Sequence, residues 1–160
     1  MQKATFGAGC FWQVEAAFKK LKGVVSTSVG YTGGKVENPS YRNVCSGNTG
    51  HLEAVEVTYD PLIISYKELL KVFWKVHDPT SLNRQGPDIG TQYRSAIFFH
   101  NKKQQSEALE SKKQIQKKYN EKVVTEIMPI SKYYKAEEYH QNYLEKQGLS
   151  KVKGFIKSFF

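Results

Sequence analysis

Two side chains of this sequence combine a reactive type with a setting that could use it: Cys10 and Glu53. Cys10 follows the glycines of "FGAGCFW", where a short strand gives way to a helix. Unpaired amide donors and the positive end of the helix dipole favour an anion at such a junction, and the thiolate is the attacking form of cysteine. The dipole supplies only ~0.3–1 kcal/mol, under one pKa unit at ~1.4 kcal/mol per unit. It cannot ionise Cys10 at neutral pH unaided. On position alone, a small apolar residue packed under the turn is an equal reading.

Glu53 sharpens the case. In "HLEAVEVTY", period two puts Glu53 on the same strand face as Val55, Val57 and Tyr59, while Glu56 and Thr58 face solvent. A carboxyl on the apolar side resists ionisation and keeps a proton to donate near pH 7. The competing reading is a strand end paired to Lys or Arg. Tyr41, before "RNVCSG", and Tyr93, after "DIGTQ", could hold an oxygen through their phenols and wall an apolar pocket. In a chain with 10 tyrosines, either one alone is more simply core or surface. Phe11 fits the apolar stripe of the first helix; Trp12 fits it less well and is free to face a ligand.

The elements that must position these groups alternate. "KATF" reads as a strand, followed by a helix with Phe11, Val14, Phe18 and Leu21 on one face and Gly23 as its stop. "VVSTSVGY" and "LEAVEVTY" read as strands separated by a long polar loop over 32–50. Ser65 and Glu68 cap a helix over "YKELLKVFWKVH". A second long loop, "DPTSLNRQGPDIGTQ", precedes the strand "YRSAIFF". A lysine-rich helix runs from Asn101 to about Asn120, "VVTEIMPI" is a strand, and "AEEYHQNYLEKQG" is a helix stopped by Gly148. Long loops in small domains are usually functional or disordered, and the aromatic and cysteine content here argues for function. Strands alternating with helices imply a sheet covered by helices, α/β or α+β.

The bulk numbers bound the alternatives. A length of 160 residues suits a single domain over 1–160, with a basic tail from about 149. The sequence holds no run near the ~20 apolar residues of a membrane span, and no secretory signal pattern opens it. Two cysteines are too few for a disulfide scaffold, and a cytoplasmic monomer is the expectation. Lys and Arg number 24 against 15 acidic residues, a net +9. A basic nucleic-acid module therefore stays open, although no RNA-recognition aromatic signature is present; a solvated lysine face is the simpler account. His51, His77, His100 and His140 lack HExxH or CxxC spacing, which argues against a metal site. A hydrolase in which a histidine activates Cys10 also stays open, with no triad spacing to identify it.

The segments "GAGCFWQVEAAF", "GYTGG", "YRNVCSGNTGHLE", "HDPTSLNRQGPDIGTQYRSAIF" and "AEEYHQNYL", in this order, resemble the A-type peptide methionine sulfoxide reductases over nearly the whole chain. The resemblance implies a two-layer α+β sandwich with a ferredoxin-like core, extra helices and long loops. It implies reduction of the S-epimer of methionine sulfoxide, free or in proteins, and each epimer has its own reductase. Cys10 then resembles the nucleophile and Glu53 the acid. Tyr41 and Tyr93 resemble the pair that holds the sulfoxide oxygen, with Asp88 assisting, and Phe11 and Trp12 the pocket for the substrate methyl group. No metal or organic cofactor is implied; an external thiol such as thioredoxin, glutaredoxin or a small dithiol is. Many relatives carry a resolving cysteine in a C-terminal tail, whereas "GLSKVKGFIKSFF" has none, which leaves Cys45 as the internal candidate. Leu52 stands where alanine is commoner in the family, with a small packing change expected.

Overall fold

The first strand shows why the sheet has two unequal faces. In the computed structural model, which describes residues 1–148, β1 (Gln2–Ala8) turns Ala4, Phe6 and Ala8 into the main core. Phe6 is fully buried, with ring centroids 5.1 Å from Phe18 and 5.2 Å from Phe73. The register sets Phe6 opposite Val55 on one side and Ile97 on the other, so one apolar row crosses three strands. A smaller cluster of Leu52, Ala54, Ala96 and Phe98 sits apart from it.

The remaining elements are α1 (Phe11–Lys19), β2 (Val24–Thr32), α2 (Tyr41–Cys45), β3 (Leu52–Tyr59), α3 (Tyr66–Lys75), β4 (Arg84–Gln85), β5 (Asp88–Ile89), β6 (Ser95–Phe99), α4 (Lys102–Gln116), β7 (Glu126–Pro129), β8 (Tyr133–Lys135) and α5 (Tyr143–Lys146). Two 3₁₀ turns cover Thr91–Tyr93 and Glu138–His140. Six strands form one sheet in the order β7-β6-β1-β3-β2-β8, antiparallel except for the parallel pair β6–β7, and β4–β5 form a separate hairpin. The protein is a mixed α/β structure. Among the described residues, no helix is long and apolar enough to cross a membrane.

α3 follows its sequence signals closely. Ser65 accepts from the Glu68 amide, Glu68 reaches back to Ser65, and Leu69, Leu70, Phe73 and Trp74 are buried. Several expectations need correction. α1 stops at Lys19, and Gly23, at φ +102°, makes the turn into β2 instead of ending the helix directly. The loop over 32–50 contains α2, capped reciprocally by Ser40 and Asn43. The lysine-rich helix ends at Gln116, and the late strand is only four residues long. The helix expected over 136–148 is broken: a 3₁₀ turn leads to Asn142 in the left-handed region (φ +54°), then to a four-residue helix. The basic tail expected from about 149 lies outside the described residues.

Side chains replace periodicity in holding that last segment. Gln141 is buried and bonds the Val29 amide, the Val29 carbonyl and the Ala136 carbonyl at 2.9, 2.9 and 2.8 Å. Glu15 of α1 accepts from the Asn142 amide at 2.7 Å and from Thr27 at 2.8 Å. These bonds lash residues 136–146 to α1 and β2, beside the start of α1.

Candidate active site

Cys10 caps the N-terminus of α1, and Gly9 before it turns the chain at φ +97°, a conformation that favours glycine. The nearby amides of Trp12 and Gln13 favour the Cys10 thiolate, but burial outweighs them. Desolvation, followed by the neighbouring Glu53 carboxyl, pushes the Cys10 thiol up to about 12. The helix start therefore helps the anion, as its position suggested, without making a resting thiolate.

Glu53 points to the helix-covered face, as the alternation of β3 requires, and is 1% exposed. Its Oε1 accepts from the Phe11 amide at 3.2 Å, while Oε2 is buried without a partner among the described residues. Burial is the main cause that lifts its pKa to about 8; the Phe11 amide opposes this, and Asp88 adds to it. The carboxyl is therefore largely protonated at neutral pH. The alternative of a strand-end ion pair fails, because Glu53 meets an amide and not a cation.

The loop-borne groups converge on this pair. Tyr41 opens α2 and Tyr93 closes the 3₁₀ turn before β6. Both phenols are held above their ordinary range, first by burial, and each responds to Glu53 and to Cys45. Tyr93 also responds to Asp88 and Cys10. Asp88, on β5, is itself raised by burial. Cys45 is exposed, and its thiol faces the Tyr41 hydroxyl. Cys10, Glu53, Tyr41, Tyr93, Asp88 and Cys45 thus form one electrostatic neighbourhood.

An aromatic wall stands beside it. The Phe11 ring lies 5.8 Å from Tyr31, 6.4 Å from Tyr41 and 6.5 Å from Trp12. Three residues of this wall escaped sequence reading. His140 accepts from the Trp12 indole at 3.0 Å, which makes it neutral with its proton on Nε2, and its ring is 4.4 Å from Tyr41. Tyr143 stacks on Trp12 at 3.9 Å. Glu137 accepts from the Tyr31 hydroxyl at 2.8 Å and from the Tyr41 amide at 3.0 Å, fixing the start of α2. All three lie in or beside "AEEYHQNYL", the segment misread as a helix; its concentration of aromatic and acidic residues was the available signal.

The other histidines are engaged elsewhere. His51 bonds the Gly34 amide and the Val36 carbonyl, His77 bonds the Phe73 carbonyl and Ser95, and His100 bonds Thr5. A histidine-activated thiol has no base on these bonds.

The sequence profile described as "Peptide methionine sulfoxide reductase" matches residues 2–158. The chain belongs to this family. It is 55% identical to the peptide methionine sulfoxide reductase MsrA of Methanosarcina acetivorans, over 99% of this chain and 85% of that protein. It is 60% identical to MsrA 1 of a Nostoc species, over 92% and 91%. Among solved structures it resembles methionine sulfoxide reductase A of Corynebacterium diphtheriae, at a TM-score of 0.89 and 41% identity over 92% of this chain and 76% of that one. It also resembles reduced Mxr1 of Saccharomyces cerevisiae, at 0.87 and 41% over 92% and 86%. A crystal structure of Mxr1 in complex with Trx2 matches at 0.64 and 27% identity over 89% and 84%. The reductase is accordingly an oxidoreductase acting on methionine sulfoxide at the expense of thiols.

Proposed function

We propose that this reductase converts the S-epimer of methionine sulfoxide, free or within proteins, to methionine, with Cys10 as nucleophile and Glu53 as acid. The observation that carries the reading is a buried carboxyl, protonated at neutral pH, within electrostatic reach of a thiol at a helix start. Sulfoxide oxygen is a poor leaving group until it gains a proton. Glu53 protonates that oxygen as the Cys10 sulfur attacks the substrate sulfur, and the amides of Trp12 and Gln13 stabilise the negative charge Cys10 carries during attack. With the thiol's own proton as the second, the oxygen leaves as water and Cys10 stays bonded to the substrate sulfur as a sulfonium. Water then attacks the Cys10 sulfur, the sulfur–sulfur bond breaks, methionine leaves, a proton returns to Glu53, and Cys10 becomes a sulfenic acid. Tyr41 and Tyr93 hold the oxygen, Asp88 supports Glu53 in its protonated form, and Phe11 with Trp12 encloses the methyl group.

Recycling needs two thiols: one displaces water from the sulfenic acid to form a disulfide, and a second releases Cys10. Cys45 is the internal candidate for the first, being exposed, acting on Tyr93 as Cys10 does, and being raised by Glu53 as Cys10 is. Thioredoxin, glutaredoxin or a small dithiol completes the cycle. Thiols carry all the electrons, so no metal or organic cofactor is needed. All reacting groups come from one chain, which supports action as a monomer, and two unpaired cysteines suit the reducing cytoplasm. The central strand order β6-β1-β3-β2, with α1 after β1 and α3 after β3, supports reading the core as ferredoxin-like.

The test is one turnover without reductant, followed by mass spectrometry and a pH series. The protein should consume only the S-epimer and become either one oxygen heavier, as a sulfenic acid, or two hydrogens lighter, as a Cys10–Cys45 disulfide. Cys10→Ser should abolish the reaction, and appreciable residual turnover would remove Cys10 as nucleophile. The wild-type rate should fall as pH rises through about 8, where Glu53 loses its proton. Glu53→Gln should be slow throughout; a rate equal to wild type across the series would remove Glu53 as the acid.

A further inference from the structure

We propose that Gln85 is a positioning residue for the reaction: it ties β4 to the end of α3 while lying against Gly9, and so fixes where Asp88 stands relative to Cys10 and Glu53. The inference rests on Cys10 and Glu53 being the reacting pair.

The β4–β5 hairpin has two residues per strand and, among the described residues, joins no other strand. So short a ribbon cannot hold its own geometry, because even longer isolated hairpins are marginal in water. The Asn83 carbonyl accepts from the Gly90 amide at 2.9 Å and closes its base, which leaves its orientation open. Gln85 supplies the orientation. Its Oε1 accepts from the Asp78 amide at 2.9 Å and its Nε2 donates to the Asp78 carbonyl at 2.8 Å, so one side chain satisfies both backbone groups of a single residue. Asp78 is a firm anchor. Next to it, His77 bonds the Phe73 carbonyl and the Ser95 hydroxyl, both at 2.7 Å, and locks the end of α3 onto β6.

The other side of Gln85 meets the nucleophile's own turn. A Cβ placed on Gly9 would lie 3.0 Å from both Cβ and Cγ of Gln85, so the apolar stem rests on the residue before Cys10. Across the hairpin, Gln85 is in register with Asp88. Cys10, Gln85 and Asp88 share the wall of one groove of about 720 Å³. Residue 85 is therefore a lever with three fixed arms, and Asp88 sits at the end of one of them.

What Asp88 does there can be measured. Burial is the main cause that raises Glu53, Cys10 and Tyr93, and the Asp88 charge adds to it in all three. The other titratable groups facing Glu53 are Cys10, Tyr31, Tyr41, Tyr93 and Cys45, each held above its ordinary value and so neutral near pH 7. If Asp88 swings away, both Glu53 and Cys10 titrate at lower pH.

Gln85→Met keeps the stem against Gly9 and removes the amide. It should be compared with wild type, and with Asp88→Asn alone and combined, by two readouts: the alkaline limb of single-turnover reduction, and the rate of Cys10 alkylation by iodoacetamide against pH. With Asp88 present, both profiles should move toward lower pH by several tenths of a unit. With Asp88→Asn already in place, Gln85→Met should move neither. Equal shifts in both backgrounds, or none in either, overturn the proposal. Should Gln85→Met fail to fold, Gln85→Asn retains an amide one methylene short and must show a smaller shift with the same dependence on Asp88. Alkylation needs no turnover, so it reports on Gln85 even if Cys10→Ser remains active and the reaction assigned above is wrong.

Discussion

Cys10 and Glu53 sit on the frame of the molecule, whereas Tyr41, Tyr93, Asp88 and the partners of Trp12 hang from its connections. Glu53 belongs to β3, which pairs with β2 from Leu52 to Tyr59 and with β1 from Val55 to Tyr59, and it reaches the first amide of α1. The connection-borne groups stand on elements of two to five residues whose geometry depends on individual side chains: Glu137 at Tyr41, Gln85 at Asp88, His140 at Trp12. The difference suits the roles proposed for them. A proton donor needs a dry, rigid setting that sustains a raised pKa, and a central strand provides one. Groups that grip a substrate need only correct placement, and loops can supply that when a few strong bonds fix them.

The comparison is tested hardest at Glu53, where the frame holds a group against its own stability. The folded protein keeps the carboxyl protonated up to about 8, whereas an unfolded chain ionises it near 4.5. Below 4.5 both states are protonated and nothing is lost; as pH rises toward 8, the folded state is progressively penalised. Glu53→Gln should therefore leave stability unchanged at pH 4 and increase it at pH 7, on the order of 3 kcal/mol at ~1.4 kcal/mol per pH unit. Denaturant melts at the two pH values check this. A variant equally stabilised at both, or destabilised at pH 7, would show that the carboxyl is not held protonated by burial.

The same division explains what the sequence disclosed. The facing of Glu53 was legible because strand alternation is set by the backbone and tolerates no slip. α3 was legible because a capping box and an apolar stripe agree. The small elements were not. α2 is one turn long and its cap is closed by Asn43 instead of Glu or Gln, and the β4–β5 hairpin is shorter than any period. The segment 136–148 carries aromatic residues at spacings that suit a helix, yet Asn142 breaks it, and Glu15 and Gln141 provide the bonds a helix would have made internally. Those bonds join residues more than a hundred positions apart, and no local pattern announces them. Tyr41, Tyr93 and Trp12 are candidates from their positions, their roles and the choice of Asp88 come from the family resemblance, and their supports Glu137, His140 and Tyr143 emerge only from the contacts.

Gln141 probes the connection side with an effect of the next size. Gln141→Ala removes three bonds and leaves the Val29 amide and the Ala136 carbonyl buried without them, while the Val29 carbonyl keeps the Ala136 amide. At about 1–3 kcal/mol for each of these two groups, with waters offsetting part of it, a loss of about 2 kcal/mol is expected. Hydrogen exchange should rise first over 136–146, and KM should rise more than kcat falls. Loosening spread evenly over the central sheet would mean that the segment is part of the frame and not an attachment to it.

The smallest effect concerns the Trp12 indole. Trp12→Phe keeps an aromatic surface for Tyr143 to stack on but removes the donor to His140, a bond of ordinary length worth about 1 kcal/mol net. Stability should change by no more than about that amount. His140 gives up the indole donor at Nδ1, the ring at position 12 is left to stacking alone, and the wall proposed to enclose the substrate methyl group loses definition. KM for methionine sulfoxide should rise several-fold, with the alkaline limb at about 8 unmoved, since Glu53 and its neighbours are untouched. A displaced limb would show that the aromatic wall and the acid are coupled, and would erase the distinction between the groups that grip and the group that gives the proton.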